Sequence, residues 1–159
     1  MDEKLRLSIE TVLKKKTNEI LKEINYLMDE KGVGDILKNG PKDKNQNKNN
    51  KQLLGRTQFT MLMNAATEAS CVEELLLFLA YQESRNSGWK IQCEKSNKSI
   101  AENIVDSLIE IQTNVYSAIE KEVETEYIDE DDERVIKLEI ARKYTGYLYW
   151  KVSAICKAN

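Results

Sequence analysis

The chain has 159 residues, with 24 basic and 27 acidic side chains for a formal charge of −3, no histidine, one proline (Pro41), six glycines and three cysteines. The missing imidazole removes Ser-His and Cys-His nucleophilic sites, His-containing zinc sites and the Arg/His active sites of many small helical ribonucleases. So few helix breakers favour long helices, and a chain of this length is expected to form one domain that buries about 70% of its unfolded surface.

Residues 3–31 carry Leu5, Ile9, Val12, Leu13, Ile20, Ile24, Leu27 and Met28. Spacings of three and four dominate, with a gap at Lys16 and Thr17, and predict one long amphipathic helix. Lys14, Lys15 and Lys16 form a short basic run on its solvated face, and Gly32 and Gly34 are expected to stop it. Residues 39–52 follow, with five asparagines, four lysines and no apolar residue. Such a segment cannot bury enough surface to offset its ordering entropy and is expected to be a mobile loop. Between Ile36 and Arg56 six bases (Lys38, Lys42, Lys44, Lys48, Lys51, Arg56) face one acid, Asp43, a local charge of +5. Two readings stand side by side here: an ordinary lysine- and asparagine-rich insertion, or a segment that orders on a polyanion.

Thr57 is the expected N-cap of a helix bearing Phe59, Leu62, Met63 and Ala66. Ser70 and Glu73 have capping-box spacing and open a helix with Val72, Leu75, Leu76, Phe78 and Leu79. That helix is apolar over most of its circumference, which predicts the buried centre of the domain. It ends in Tyr81, Gln82 and Arg85, followed by the turn Asn86-Ser87-Gly88, then Trp89 and a polar stretch with Lys90, Lys95 and Lys98. Ser99 with Glu102 repeats the capping-box spacing. Ile100, Ile104, Leu108, Ile111, Val115 and Ile119 then form one apolar stripe on a helix reaching about residue 125. Glu120 to Arg134 has nine acids and two bases. Asp129 to Glu133 lacks the alternation and sixth-position glycine of an EF-hand, and reads as a solvated turn supplying the first acids of the last helix.

That helix, about 133–157, carries Val135, Leu138, Ile140, Ala141, Tyr144, Leu148, Val152 and Ile155. Tyr144, Tyr147, Tyr149 and Trp150 lie beside Arg142, Lys143 and Lys151, a mixture that either stacks on nucleobases or packs as core and rim. The sum is an all-α single domain over residues 1–159, a bundle of about five helices with one long basic loop at 39–52 and no strand signal. Cys71, Cys93 and Cys156 are odd in number and widely spaced, which suits a reducing cytosol and argues against zinc. Met1-Asp2-Glu3-Lys4 leads into an amphipathic pattern rather than an apolar signal core, and the run Leu75 to Tyr81 is far below the roughly 20 residues that span a bilayer. A soluble cytoplasmic protein with no membrane partner, no cofactor and no metal is expected.

Catalysis is disfavoured, because the acids cluster in a polar turn rather than in an apolar pocket that would raise a pKa. Charge segregation points elsewhere: +5 over 36–56 and +4 over 135–159, against −7 over 120–134. The bases are mostly lysines, which suit sequence-independent contact with a phosphate backbone.

The block Thr57-Gln58-Phe59-Thr60, Glu73-Glu74, Phe78-Leu79-Ala80-Tyr81-Gln82, Arg85 and Trp89 resembles the small subunit of type III CRISPR RNA-guided effector complexes. The resemblance implies a non-catalytic helical subunit of an antiviral ribonucleoprotein complex, present in several copies. Its partners would be guide RNA, target nucleic acid and the neighbouring subunits. Arg85 and Trp89 lie inside the matched block and Arg56 borders it. Lys42, Lys44, Lys48, Lys51, Lys90, Arg142 and Lys143 join them as candidate nucleic-acid-binding residues on charge alone. The loop at 39–52 and the acidic turn at 129–133 have no counterpart in the pattern. The alternative is a helical protein-interaction module, such as a phage or toxin-system regulator, whose acidic turn docks a basic partner. A metal-dependent nuclease is third.

Overall fold

A computed structural model describes residues 1–41, 54–85, 87–123 and 127–157. Among them are seven α-helices, a 3-10 turn and a two-stranded hairpin, so the all-α expectation holds while the helix count and the absence of strands do not.

Two changes raise the count. The single helix expected over 3–31 is two, α1 (Glu3–Lys15) and α2 (Thr17–Asp29), joined at Lys16. No apolar side chain between Leu13 and Ile20 ties this turn to the core, and the Thr17 hydroxyl donates to the Leu13 carbonyl at 3.2 Å. Such back-bonding bends a helix. The other addition is α3 (Val33–Asn39), a short helix where the glycines predicted only a stop. α2 ends earlier, at Asp29 with Glu30 as its C-cap, and Gly32 is instead the N-cap of α3, with φ +87, a left-handed conformation that L side chains rarely adopt. Gly34 does something else: a Cβ there would lie 2.9 Å from the Met28 carbonyl oxygen, so its bareness lets α3 fold back on the last turn of α2.

The next helix, α4 (Arg56–Glu68), starts one residue before the expected cap. Gly55 precedes it, and the Gln58 side chain accepts the Gly55 N–H at 2.8 Å, so Thr57 is already inside the first turn. Its successor α5 (Val72–Ser84) begins after Cys71 rather than at the Ser70–Glu73 box, and Glu74 accepts the Ser70 N–H at 3.2 Å. Nor is α5 the buried centre. It buries Val72, Leu75, Leu79 and Gln82, whereas Leu77 is 69% exposed and Tyr81 is also open to solvent.

The chain then makes the 3-10 turn Gly88–Lys90 and the antiparallel hairpin β1 (Gln92–Cys93) and β2 (Lys98–Ser99). Strands of two residues are too short to show alternation. Ser99 caps α6 (Ile100–Glu122) by accepting the Glu102 N–H at 3.0 Å, and every residue of the predicted stripe is buried. The acidic turn starts α7 (Glu130–Lys157), three residues earlier than expected. Asp129 accepts the Asp132 N–H at 2.7 Å while Asp132 accepts that of Asp129 at 3.4 Å, a reciprocal cap made of two carboxylates.

The core lies between α6 and α7, with α1 and α2 covering α6 and α4 lying along α7. Ile104, Leu108, Val115, Ile136, Ile140, Leu148 and Val152 are buried in one continuous cluster with Ile20, Leu27, Phe59 and Leu75. Burying side chains of this size contributes about 1.5–3 kcal/mol each, which is what holds so many short loops in place.

Candidate nucleic-acid interface

Phe59 and Trp89 organise the block that carries the resemblance. Their rings stack with centroids 5.1 Å apart at 50°, and Trp89 is only 2% exposed. This contact brings the start of α4 to the end of α5. Arg56, one turn before Phe59, and Arg85 and Lys90, on either side of the turn that presents Trp89, are therefore placed around one end of the helix pair. All three are exposed. The Arg85 guanidinium lies over the Tyr81 ring, 5.5 Å from its centroid, and the ring is itself exposed. This guanidinium–phenol pair presents a flat cationic surface that matches both a phosphate and a base plane. Glu83, the nearest acid in sequence, accepts a hydrogen bond from the Ser99 hydroxyl at 2.9 Å and is half-buried.

The other candidates divide. Lys42, Lys44, Lys48 and Lys51 lie outside the described residues, in the segment that joins α4 through Leu54. Trp89, although inside the matched block, is core. Arg142 sits at the opposite end of α4, where its guanidinium donates to the carbonyls of Ala66 (3.1 Å), Thr67 (3.0 Å) and Ala69 (3.4 Å). Those are carbonyls that the end of a helix leaves without partners, so Arg142 closes α4 from outside. It also pairs with Glu139 at 3.7 Å. Lys143 is half-buried on α7. Tyr81 is not among the binding residues the sequence singles out, because it ends an unbroken apolar run. No spacing rule separates the outward position of such a run from the inward ones.

A polar concavity lies between α2 and α6, about 400 Å³, lined by Glu23, Tyr26, Lys31, Asn103, Asp106, Ser107 and Glu110. Burial raises the Glu23 pKa and the neighbouring Glu110 adds to it, against a Ser107 hydrogen bond and Lys31 that lower it. Asp106 is held by Lys98 at 2.6 Å. Among the described residues no group of three or more histidines, cysteines or acids could hold a metal ion. Nor is any described helix long and apolar enough to cross a membrane. Compared with protein-family models, with curated proteins and with solved structures, the chain matches none.

Proposed function

We propose that the chain is a non-catalytic subunit of an RNA-guided effector complex, of the type III CRISPR small-subunit kind. It contacts the backbone of guide or target nucleic acid through Arg56, Arg85 and Lys90 and leaves the rest of its surface to neighbouring subunits. The observation that carries this reading is the exposed Arg85 guanidinium over the exposed Tyr81 ring, with the exposed Arg56 and Lys90 adjoining the Phe59–Trp89 contact at the same end of α4 and α5. The residues that hold this end together, Phe59 and Trp89, belong to the same stretch of sequence that carries the resemblance. Cytoplasmic location and several copies per complex belong to the same proposal.

The acidic start of α7 supports a protein-docking role less well. Asp129 and Asp132 cap the helix, Asp132 lies 3.8 Å from the N-terminal amine, and Asp131 and Glu133 pair with Arg134 and Lys137. Carboxylates near a helix N-terminus stabilise it without any partner.

Binding of labelled single-stranded RNA and DNA at several salt concentrations tests the proposal. Phosphate contact predicts a log-linear loss of affinity with log salt, and the triple change Arg56→Glu, Arg85→Glu, Lys90→Glu abolishes binding while circular dichroism is unchanged. Wild-type affinity in that variant, alone and in the reconstituted complex, rules the proposal out.

A further inference from the structure

We infer that the C-terminal half of α7 is a stacking site for an unpaired nucleobase, built on Trp150. The site is separate from the Arg56–Arg85–Lys90 end, although it rests on the nucleic-acid reading of the chain. Lys143, Tyr147, Trp150 and Ala154 recur at intervals of four, three and four residues and so share one face of the helix. Trp150 is 68% exposed, the larger of the two indoles to solvent, since Trp89 is core. An indole left this open loses the burial that normally justifies a tryptophan. It is nonetheless held: the Tyr147 ring meets it in an edge-to-face arrangement at 65° with centroids 5.7 Å apart, so this neighbour covers at most one flat face of the indole.

Gly146 adds an independent observation. It lies inside a 28-residue helix, where glycine is destabilising relative to alanine because it loses more backbone freedom. Neither packing nor backbone explains it: a Cβ at this position would meet nothing within 4 Å, and its φ is not positive. Trp150 follows Gly146 by one helical turn, and no atom of its indole lies within 4 Å of where a Gly146 Cβ would sit, so the space beside the indole on this face is open. The missing side chain at Gly146 keeps that approach open for a flat ligand.

Charge selects the ligand. From Ile140 to Lys157 the helix sequence contains Arg142, Lys143, Lys151 and Lys157 and no acid; Arg142 is engaged on the carbonyls that end α4, so the lysines carry the charge argument. Glu139, just before this stretch, is paired with Arg142. A base laid on the indole places its phosphates within reach of lysines on the same and the adjoining face. Exposed aromatics interleaved with bases bind single strands with little sequence preference. A hydrophobic protein segment would use the indole but not the lysines.

Fluorescence titration of the full chain with oligouridylate and oligothymidylate tests the site, with anisotropy of labelled oligonucleotides measuring affinity independently. Because Trp89 is core, the emission that a stacked base quenches is that of Trp150. The expected result is quenching in the wild type, its loss in Trp150→Phe, affinity reduced roughly tenfold in Trp150→Ala, and a smaller loss in Trp150→Phe. Gly146→Gln, which fills the approach with a good helix former, is expected to weaken binding while raising helix stability. Three results overturn the inference. Binding without quenching, and with unchanged affinity in Trp150→Ala, removes the stacking site and leaves the phosphate contacts standing. No binding by the wild type or its reconstituted complex removes both. Loss of association with a protein subunit in Trp150→Ala, with oligonucleotide binding intact, makes the face a protein contact instead.

Discussion

The Tyr144 hydroxyl donates to the Ser107 hydroxyl at 2.7 Å, joining α7 to α6 where both are buried. Burial drives the Tyr144 pKa well above its ordinary value, against the lowering effect of Ser107. Tyr144→Phe keeps the ring and leaves Ser107 without its donor. It is expected to cost about 1–2 kcal/mol in urea unfolding, and adding Ser107→Ala is expected to recover part of that loss.

Arg142 and Arg85 are expected to separate stability from binding. Arg142→Met strands the carbonyls of Ala66, Thr67 and Ala69 at the end of α4 and should destabilise by about 1.5–3 kcal/mol. Arg85→Glu removes the cation over the exposed Tyr81 ring and should leave the urea midpoint nearly unchanged while weakening oligonucleotide binding. Equal midpoints for the two variants would contradict the capping role of Arg142.

Glycine at position 146 yields a thermodynamic test that needs no ligand. Gly146→Ala should raise stability by about 0.5–1 kcal/mol, read as a higher denaturation midpoint, because it removes a backbone entropy cost and encounters no neighbour.

Cys93 makes stability fall in alkali. Burial pushes its thiol from an ordinary value of 9.0 up to about 11, with Asp35 adding to the rise and an Asn103 hydrogen bond opposing it. A raised pKa contributes stability that is complete below the unfolded value and is lost as pH rises through the folded one. Between about pH 9 and 11 the unfolded thiol ionises first, and stability should decline by at most about 1.4 kcal/mol per pH unit. Cys93→Ala should flatten the curve up to about pH 10, above which Tyr144 adds a decline of the same sign. Thiol reagents should label Cys71 and Cys156, both half-buried, well before Cys93.

Much of the helical framework is legible in the sequence, because one-sided stripes are a local signal. Ile100, Ile104, Leu108, Ile111, Val115 and Ile119 recur at the helix period, and all six are buried. The Ser99 cap is equally local. Where periodicity is missing, so is the answer: in Leu75 to Tyr81 every position is apolar, and only tertiary packing decides that Leu79 is buried and Leu77 is not. Trp89 lies outside any helix stripe, so its burial against Phe59 has no sequence signature. The carbonyls that hold Arg142 lie 73 to 76 residues earlier in the chain, and no spacing rule reaches that far. The open face around Trp150 has a faint signal, a glycine one turn before an exposed indole in a long helix, which becomes meaningful only once the space around it is known.

The stack of Phe59 on Trp89 has a consequence for folding order. It closes a chain segment of modest length on itself, with α4, α5 and the 3-10 turn inside the loop, so the entropy of bringing its ends together is small. Contacts of such short range favour fast closure, while the packing of α4 along α7 ties the segment to the last helix. Amide exchange in the segment bearing Arg56, Arg85 and Lys90 is therefore expected to follow one common opening shared with α7 rather than residue-by-residue fraying.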